Sequence, residues 1–252
     1  MQLPPVLLAV LLGLLLSQIG TLVTTVYLHR GLSHRALTAN RGLTAALRVV
    51  TWVLTGIRPR QWVAVHRKHH AYTDVEGDPH SPILEGFAMV QFANVALYRK
   101  VAKDDAQVAR YARDLPADRW DRLLFDHALL GLGLGIALLV VIWGPLVAVV
   151  ASVVHAVTYL MLNAAVNAVG HTWGKQPHDN TARNSQLLAL VTAGEGLHNN
   201  HHHAATSPRL ALARGEIDPG WWFIRAAKGL GWLTVRERRA NRAERDEDLV
   251  AA

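Results

Sequence analysis

Residues 128–170 read ALLGLGLGIALLVVIWGPLVAVVASVVHAVTYLMLNAAVNAVG and contain no Lys, Arg, Asp or Glu. A helix rises about 1.5 Å per residue, so about 20 residues cross about 30 Å of hydrocarbon. The stretch is therefore long enough for two spans, with Gly144-Pro145 as the turn between them. Residues 1–28 are also free of charge and long enough for one more. We place spans near 5–28, 128–143 and 146–169. A signal peptide is the simpler reading of the first, but that stretch lacks a basic leader and an evident small-residue cleavage site before His29.

The rest of the composition agrees. The chain has 252 residues, 51% of them hydrophobic, and no cysteine, which excludes thiolate-held zinc and iron–sulfur sites. A net charge of +7 raises the question of nucleic acid, but no fingerprint of a nucleic-acid-binding fold accompanies it. The 26 basic residues fall in two blocks, fifteen between Arg30 and Arg122 and eleven between Lys175 and Arg245. Two spans separate the blocks, so both lie on one side, and the positive-inside rule makes that side cytoplasmic and puts the N-terminus outside. The expectation is a single domain over 1–252. It is an all-α integral membrane protein with a helical cytosolic cap (29–127 and 171–235) and a charged, solvated tail (236–252). The apolar patches Val49–Ile57 and Ile83–Tyr98 are too short or too polar to span, and Trp52, Trp62 and Tyr98 suit an interfacial depth.

Nine of the fourteen histidines cluster beside these spans. They occur in His29-Arg-Gly-Leu-Ser-His34, His66-Arg-Lys-His69-His70, Asn167-Ala-Val-Gly-His171 and His198-Asn-Asn-His201-His202. In the second and fourth the rings stand at i, i+3 and i+4, on one helix face, able to converge on a metal. Asn167 and His171 are likewise i and i+4. His29 and His34 would diverge by about 140° on a regular helix, so a break at Gly31 is expected to turn both inward. Each cluster has a plainer reading, as interfacial polarity, a solvated basic face or a metal-scavenging tract. Together they exceed the needs of one tetrahedral zinc. Two redox metals with four or five ligands each account for the number, and iron suits imidazole sites with open positions.

The order and spacing of HRGLSH, HRKHH and HNNHH, with GDPHSP after the second box, GEG before the third and NAVGH between, resemble the membrane fatty acid desaturases. The acyl-CoA Δ9 (stearoyl-CoA type) branch is the most similar, over about His29 to Arg236, and a bacterial type in an inner membrane is expected. The resemblance implies two irons held by His29, His34, His66, His69, His70, His171, His198, His201 and His202, with Asn167 acting through water. Sequence does not apportion the ligands between the irons. Zinc is expected in place of iron when such sites are over-expressed. Glu195, Asn199 and Asn200 are candidates to fix imidazole tautomers.

The implied reaction puts a cis double bond into a saturated acyl chain with O₂ and two electrons. The substrate is acyl-CoA or an acyl carrier, and the electron donor is a separate ferredoxin or a cytochrome b5 with its reductase. Trp62 resembles a tunnel aromatic. His155, inside the third span, either lines that tunnel or makes a helix–helix hydrogen bond. Arg58, Arg60, Arg67, Lys68, Arg99 and Lys100 are candidates for an anionic headgroup. His80 is expected in a turn with Asp78 and Pro79, and His127, His178 and His203 on the surface or in the cap. Animal members of the branch have two spans before the first box, where this chain has room for one. A membrane di-iron hydroxylase uses similar boxes and is the alternative enzyme; a metal-binding or transport protein is a third reading, disfavoured by charge-free spans.

Overall fold

The computed structural model describes residues 3–236, so the tail expected beyond Arg236 lies outside the described residues. Helix α1 (Pro5–Val23) starts on a proline, whose missing N–H costs nothing at a helix's first turn. It continues without interruption as a ten-residue π-helix, Thr24–Ser33. A short strand β1 (Leu37–Ala39) leads into α2 (Arg41–Thr55), capped by the Asn40 side chain on Leu43 N and stopped by Gly56 in the left-handed conformation. The cap continues through α3 (Pro59–Ala71), α4 (Pro82–Glu85), α5 (Phe87–Ala102), α6 (Asp105–Tyr111) and a second π-helical turn at Asp121–Phe125. Helices α7 (Ala128–Trp143) and α8 (Pro145–Ala168) then return through the apolar region, turning at Gly144. Short helices α9 (Gln186–Val191) and α10 (His198–His203), α11 (Pro219–Gly229) and strand β2 (Leu233–Val235) complete the cap.

The expected spans meet helices closely, with the turn at Gly144-Pro145. Two helical stretches, Pro5–Ser33 and Pro145–Ala168, are long and apolar enough to cross a membrane. The first therefore runs past the boundary at residue 28. Helix α7 has 16 residues, about 24 Å at about 1.5 Å each, short of about 30 Å of hydrocarbon. Helix α8 packs along α1, and α7 against α8 and α2. Small residues allow the approach: a Cβ on Gly13 would lie 2.6 Å from the Ala151 carbonyl oxygen. The outward sides of α7 and α8 are apolar and bare, Leu129 being 85% and Val141 84% exposed.

The fold is not wholly helical. β1 and β2 pair antiparallel, Leu37 opposite Val235 and Ala39 opposite Leu233, which draws the last described residues under the first histidine box. The patch at 49–57 is the end of α2, and that at 83–98 forms α4 and most of α5. Trp52 is no interfacial anchor. It is buried, its indole N–H donates to the His127 carbonyl at 3.1 Å, and its ring lies edge-on to Phe125.

Candidate metal centre

The nine clustered histidines come together in two groups. His29, His34, His66, His70 and His201 bring one ligand atom each within 4.8 Å of one another, and His69, His171, His198 and His202 do the same. The split follows helix geometry. On α3 and α10 the i and i+4 rings lie about 40° apart in projection and stay together, whereas i+3 and i+4 are about 100° apart and feed different groups. Thus His66 and His70 serve the five-histidine group and His69 the other. On α10 the assignment is exchanged, with His198 and His202 in the four-histidine group and His201 in the five. The division that sequence alone leaves open thus runs through each of these two boxes.

The first box reaches its group by another route. The backbone neither breaks nor turns at Gly31; it widens. In a π-helix residues five apart share a face, and His34 N donates to the His29 carbonyl at 3.1 Å. The two rings consequently stand 4.8 Å apart instead of on opposite sides. Arg67 clamps this segment from α3, donating to the Leu32 and Ser33 carbonyls at 2.8 and 2.9 Å and to Asp114. Arg67, named as a headgroup candidate, is thereby engaged with backbone carbonyls and Asp114. His171 sits in the turn just past α8, its N–H on the Asn167 carbonyl at 3.1 Å.

The residues fit metal ions. An imidazole nitrogen lies about 2.0–2.1 Å from a first-row metal, so two ligands at right angles are about 3.0 Å apart. In the five-histidine group Nε2 of His29 is 3.0 Å from that of His201, His201 is 2.8 Å from His70, and His34 is 2.7 Å from His66. In the other group His202 is 3.3 Å from His69 and 3.2 Å from His198. The buried Nε2 of His171 has no hydrogen-bond partner. Burial, and then the neighbouring imidazoles, hold His34, His66, His70, His198, His201 and His202 well below the ordinary histidine range, and His69 is lowered to about 3. Neutral rings present lone pairs, as metal ligands must.

Three carboxylates fix the tautomers. The Nδ1–H of His29 donates to Glu195 at 2.8 Å, that of His171 to Asp74 at 2.8 Å and that of His69 to Asp78 at 3.0 Å, each turning Nε2 toward its group. Of the three proposed tautomer-setting residues, only Glu195 touches a ring. Asn199 bonds the His178 backbone, Asn180 and the Ala182 carbonyl, and Asn200 bonds Asn184, the Leu210 carbonyl and Glu216. They brace loops around α10. The sequence pattern does not single out Asp74, and it assigns Asp78 to a turn. Asp78 does both, since its carboxylate also accepts Asp74 N and His80 N. The spacing in HRKHHAYTDVEGDPH, acids shortly after a ligand helix, is the one signal that pointed there.

Charges around these acids differ. Burial raises the Glu195 carboxyl, but His29 and Arg30 outweigh it and leave it lowered. Burial likewise raises Asp74, and hydrogen bonding from His171 more than offsets it. Asp78 stays raised by burial, incompletely offset by the His80 N–H. Arg30, 1% exposed, donates to both Asp218 oxygens at 2.9 Å and to the Ala193 and Pro208 carbonyls, with Nε 3.8 Å from Glu195. This pairing dictates Gly194, where φ is +103° and a Cβ would meet Asp218 Oδ1 at 2.2 Å.

A cavity of about 90 Å³ opens beside both groups, bordered by His29, His66 and His198. Trp62, Tyr98, Asn167 and His80 line it as well, so Trp62 and Tyr98 face inward. The Trp62 indole stacks on the His66 ring, with centroids 5.0 Å apart and planes at 12°. His155 is absent from this lining. It stitches the stem, with Nε2–H donating to the Leu54 carbonyl at 2.8 Å and Nδ1 3.4 Å from the Ser17 hydroxyl. His80 occupies the expected turn, yet its buried Nε2 has no partner. His178 and His203 stack on each other at 3.9 Å at the cap's edge, and His127 donates to the Arg122 carbonyl.

Comparison with known proteins agrees with these motifs. Residues 3–216 match the fatty acid desaturase family model. The acyl-CoA C20 Delta5-desaturase of Anemone leveillei is 33% identical over 85% of this chain and 69% of its own length. Delta-9 acyl-lipid desaturase 2 of Arabidopsis thaliana is 33% identical over 86% and 70%. The palmitoyl-monogalactosyldiacylglycerol delta-7 desaturase of the same plant is 30% identical over 85% and 58%. The chain belongs to the fatty acid desaturase family, oxygen-dependent oxidoreductases of lipid metabolism.

Proposed function

We propose that this protein inserts a cis double bond, at the Δ9 position, into a saturated acyl-CoA. Two irons would be held by His29, His34, His66, His70 and His201 and by His69, His171, His198 and His202. Electrons would come from a separate ferredoxin, or from cytochrome b5 with its reductase. The observation that carries the reading is the convergence of two sets of imidazole Nε2 atoms beside one cavity. Irons bound there with O₂ would supply an oxidant strong enough for unactivated methylene C–H bonds, which no side-chain acid or base can break.

The chain's own residues do the rest. Glu195, Asp74 and Asp78 hold three rings in the tautomer that keeps Nε2 free. Trp62, stacked on His66, walls the cavity so that an acyl chain lies beside the ligands with water excluded. Asn167, which lines the cavity together with His198, would hold a water near the four-histidine site. Arg58, Arg60, Lys68, Arg99 and Lys100 are the candidates for the headgroup, Arg67 being engaged with the Leu32 and Ser33 carbonyls and Asp114. Helices α1, α7 and α8 span the bilayer in this reading, with the cap cytoplasmic because both basic blocks flank it.

The test is expression with a suitable donor in a host lacking its own desaturase, with double bonds located by gas chromatography and mass spectrometry. Δ9 monoenes that disappear with His201→Ala, together with two irons per chain, are expected. Monoenes at another carbon would overturn the Δ9 assignment alone, and hydroxylated chains would mark a hydroxylase. Feeding acyl-CoA against lipid-bound chains separates the substrate classes named for the relatives. Unchanged lipids despite bound iron and a working donor would overturn the whole reading.

A further inference from the structure

The two histidine groups differ in more than ligand number. The five-histidine group has one supporting carboxylate, Glu195 on His29, and Arg30 lies 3.8 Å from it. The four-histidine group has two, Asp74 on His171 and Asp78 on His69. Among the described residues neither of these is paired with a Lys or Arg; their remaining partners are the neutral donors Ser81, Thr181, Asp74 N and His80 N. Asp218 lies across the guanidinium of Arg30 from Glu195. Even with it counted, the first set carries one net negative charge with a cation interposed, and the second carries two with none.

Buried charge acts strongly because water does not screen it. A carboxylate accepting the Nδ1–H of a ligand imidazole makes that ring a better donor, and uncompensated negative charge favours the more highly charged metal. From this inequality, and resting on the di-iron reading above, we infer that the two irons take up electrons at separate potentials. The five-histidine iron is reduced first and the four-histidine iron last. Asp74 and Asp78 are positioning residues that hold the last iron ferric, and Arg30 is the residue that cancels Glu195's like effect on the first. One centre then accepts the donor's first electron at a defined site.

The test is reductive titration of the 57Fe-loaded protein by dithionite with mediators, without oxygen, followed by Mössbauer spectroscopy. Each ferric ion takes one electron and becomes ferrous, while dithionite is oxidised. Two resolved steps are expected. Asp78→Asn should alter the spectrum of the iron reduced last and bring its step toward the first, by about tenfold or more in the redox equilibrium between the irons. Asp74→Asn provides a second variant at the same site should the first fail to fold. Glu195→Gln should alter the iron reduced first and widen the spacing. Simultaneous reduction of two bound irons, or Asp78→Asn perturbing the iron reduced first, would overturn the inference. A chain that takes up fewer than two irons would instead overturn the reading on which it rests.

Discussion

The stem and the cap of this protein are built inside out with respect to each other. In the stem the outward sides of α7 and α8 are bare Leu, Val and Ile, while polar groups lie inside, Ser17 and His155 among them. In the cap the interior holds Arg30, His69, His198 and His201, each at most 1% exposed. Burial by itself therefore says little about what a residue contributes. Lipid accepts apolar surface freely, so the stem is held by close packing and a few interhelical hydrogen bonds. The cap instead pairs buried Arg30 with Asp218 and gives its buried carboxylates Asp74 and Asp78 hydrogen-bond donors from His171 and His69.

The sharpest way to break that contrast is to unpair a charge in the cap. Arg30→Met leaves Asp218 buried beside an apolar side chain and should cost about 3–5 kcal/mol, read as loss of folded protein or a large fall in Tm in detergent. Next is steric separation in the stem. Gly13→Val pushes a side chain into Ala151 and Val154, and overpacking of this kind costs about 1–3 kcal/mol; a Tm unchanged from wild type would show that α1 and α8 are not in this register. His155→Phe removes the bond to Leu54 and the contact with Ser17 and should cost about 0.6–2 kcal/mol. A larger loss, accompanied by lost activity on acyl chains, would return His155 to the substrate path.

A smaller effect is expected at the cap's surface. Hydrogen bonds from Arg48 hold the Asp118 carboxyl well below its ordinary range. A depressed carboxyl adds stability that is full above the unfolded pKa, about 3.9, and is lost as pH falls through the folded value. Acidification below about pH 4 should then lower Tm more in wild type than in Arg48→Met, modestly because the Asp118 side chain is half exposed. The smallest effect belongs to the lipid face, where Val141→Ala should leave the unfolding free energy within about 0.5 kcal/mol of wild type, read as a nearly unchanged Tm.

Spacing made the nine clustered histidines legible, because a metal site built from helices repeats its ligands at intervals the helix imposes. It did not separate HRKHH or HNNHH into two destinations. The direction of each ring depends on what packs across from it, and the 100° between adjacent positions acquires meaning only when α3 faces α10. The expected break in HRGLSH was a sound inference from α-helical geometry, overtaken by a π-helix whose i→i+5 bonds Arg67 holds from another element. Arg67 and His155, both candidates for substrate, were claimed by backbone carbonyls that no local pattern identifies.

The sequence by itself determined the apolar helices, the turn at Gly144-Pro145, the histidine set and the family, since each rests on local composition or on spacing along one element. Only the tertiary structure decided the five and four division, the carboxylates behind His69 and His171, the inward turn of Trp62 and the pairing of Arg30 with Asp218. Those depend on groups up to 188 residues apart in the chain, which meet because burial leaves a ring nitrogen or a guanidinium no water to bond and obliges it to find a partner elsewhere in the fold.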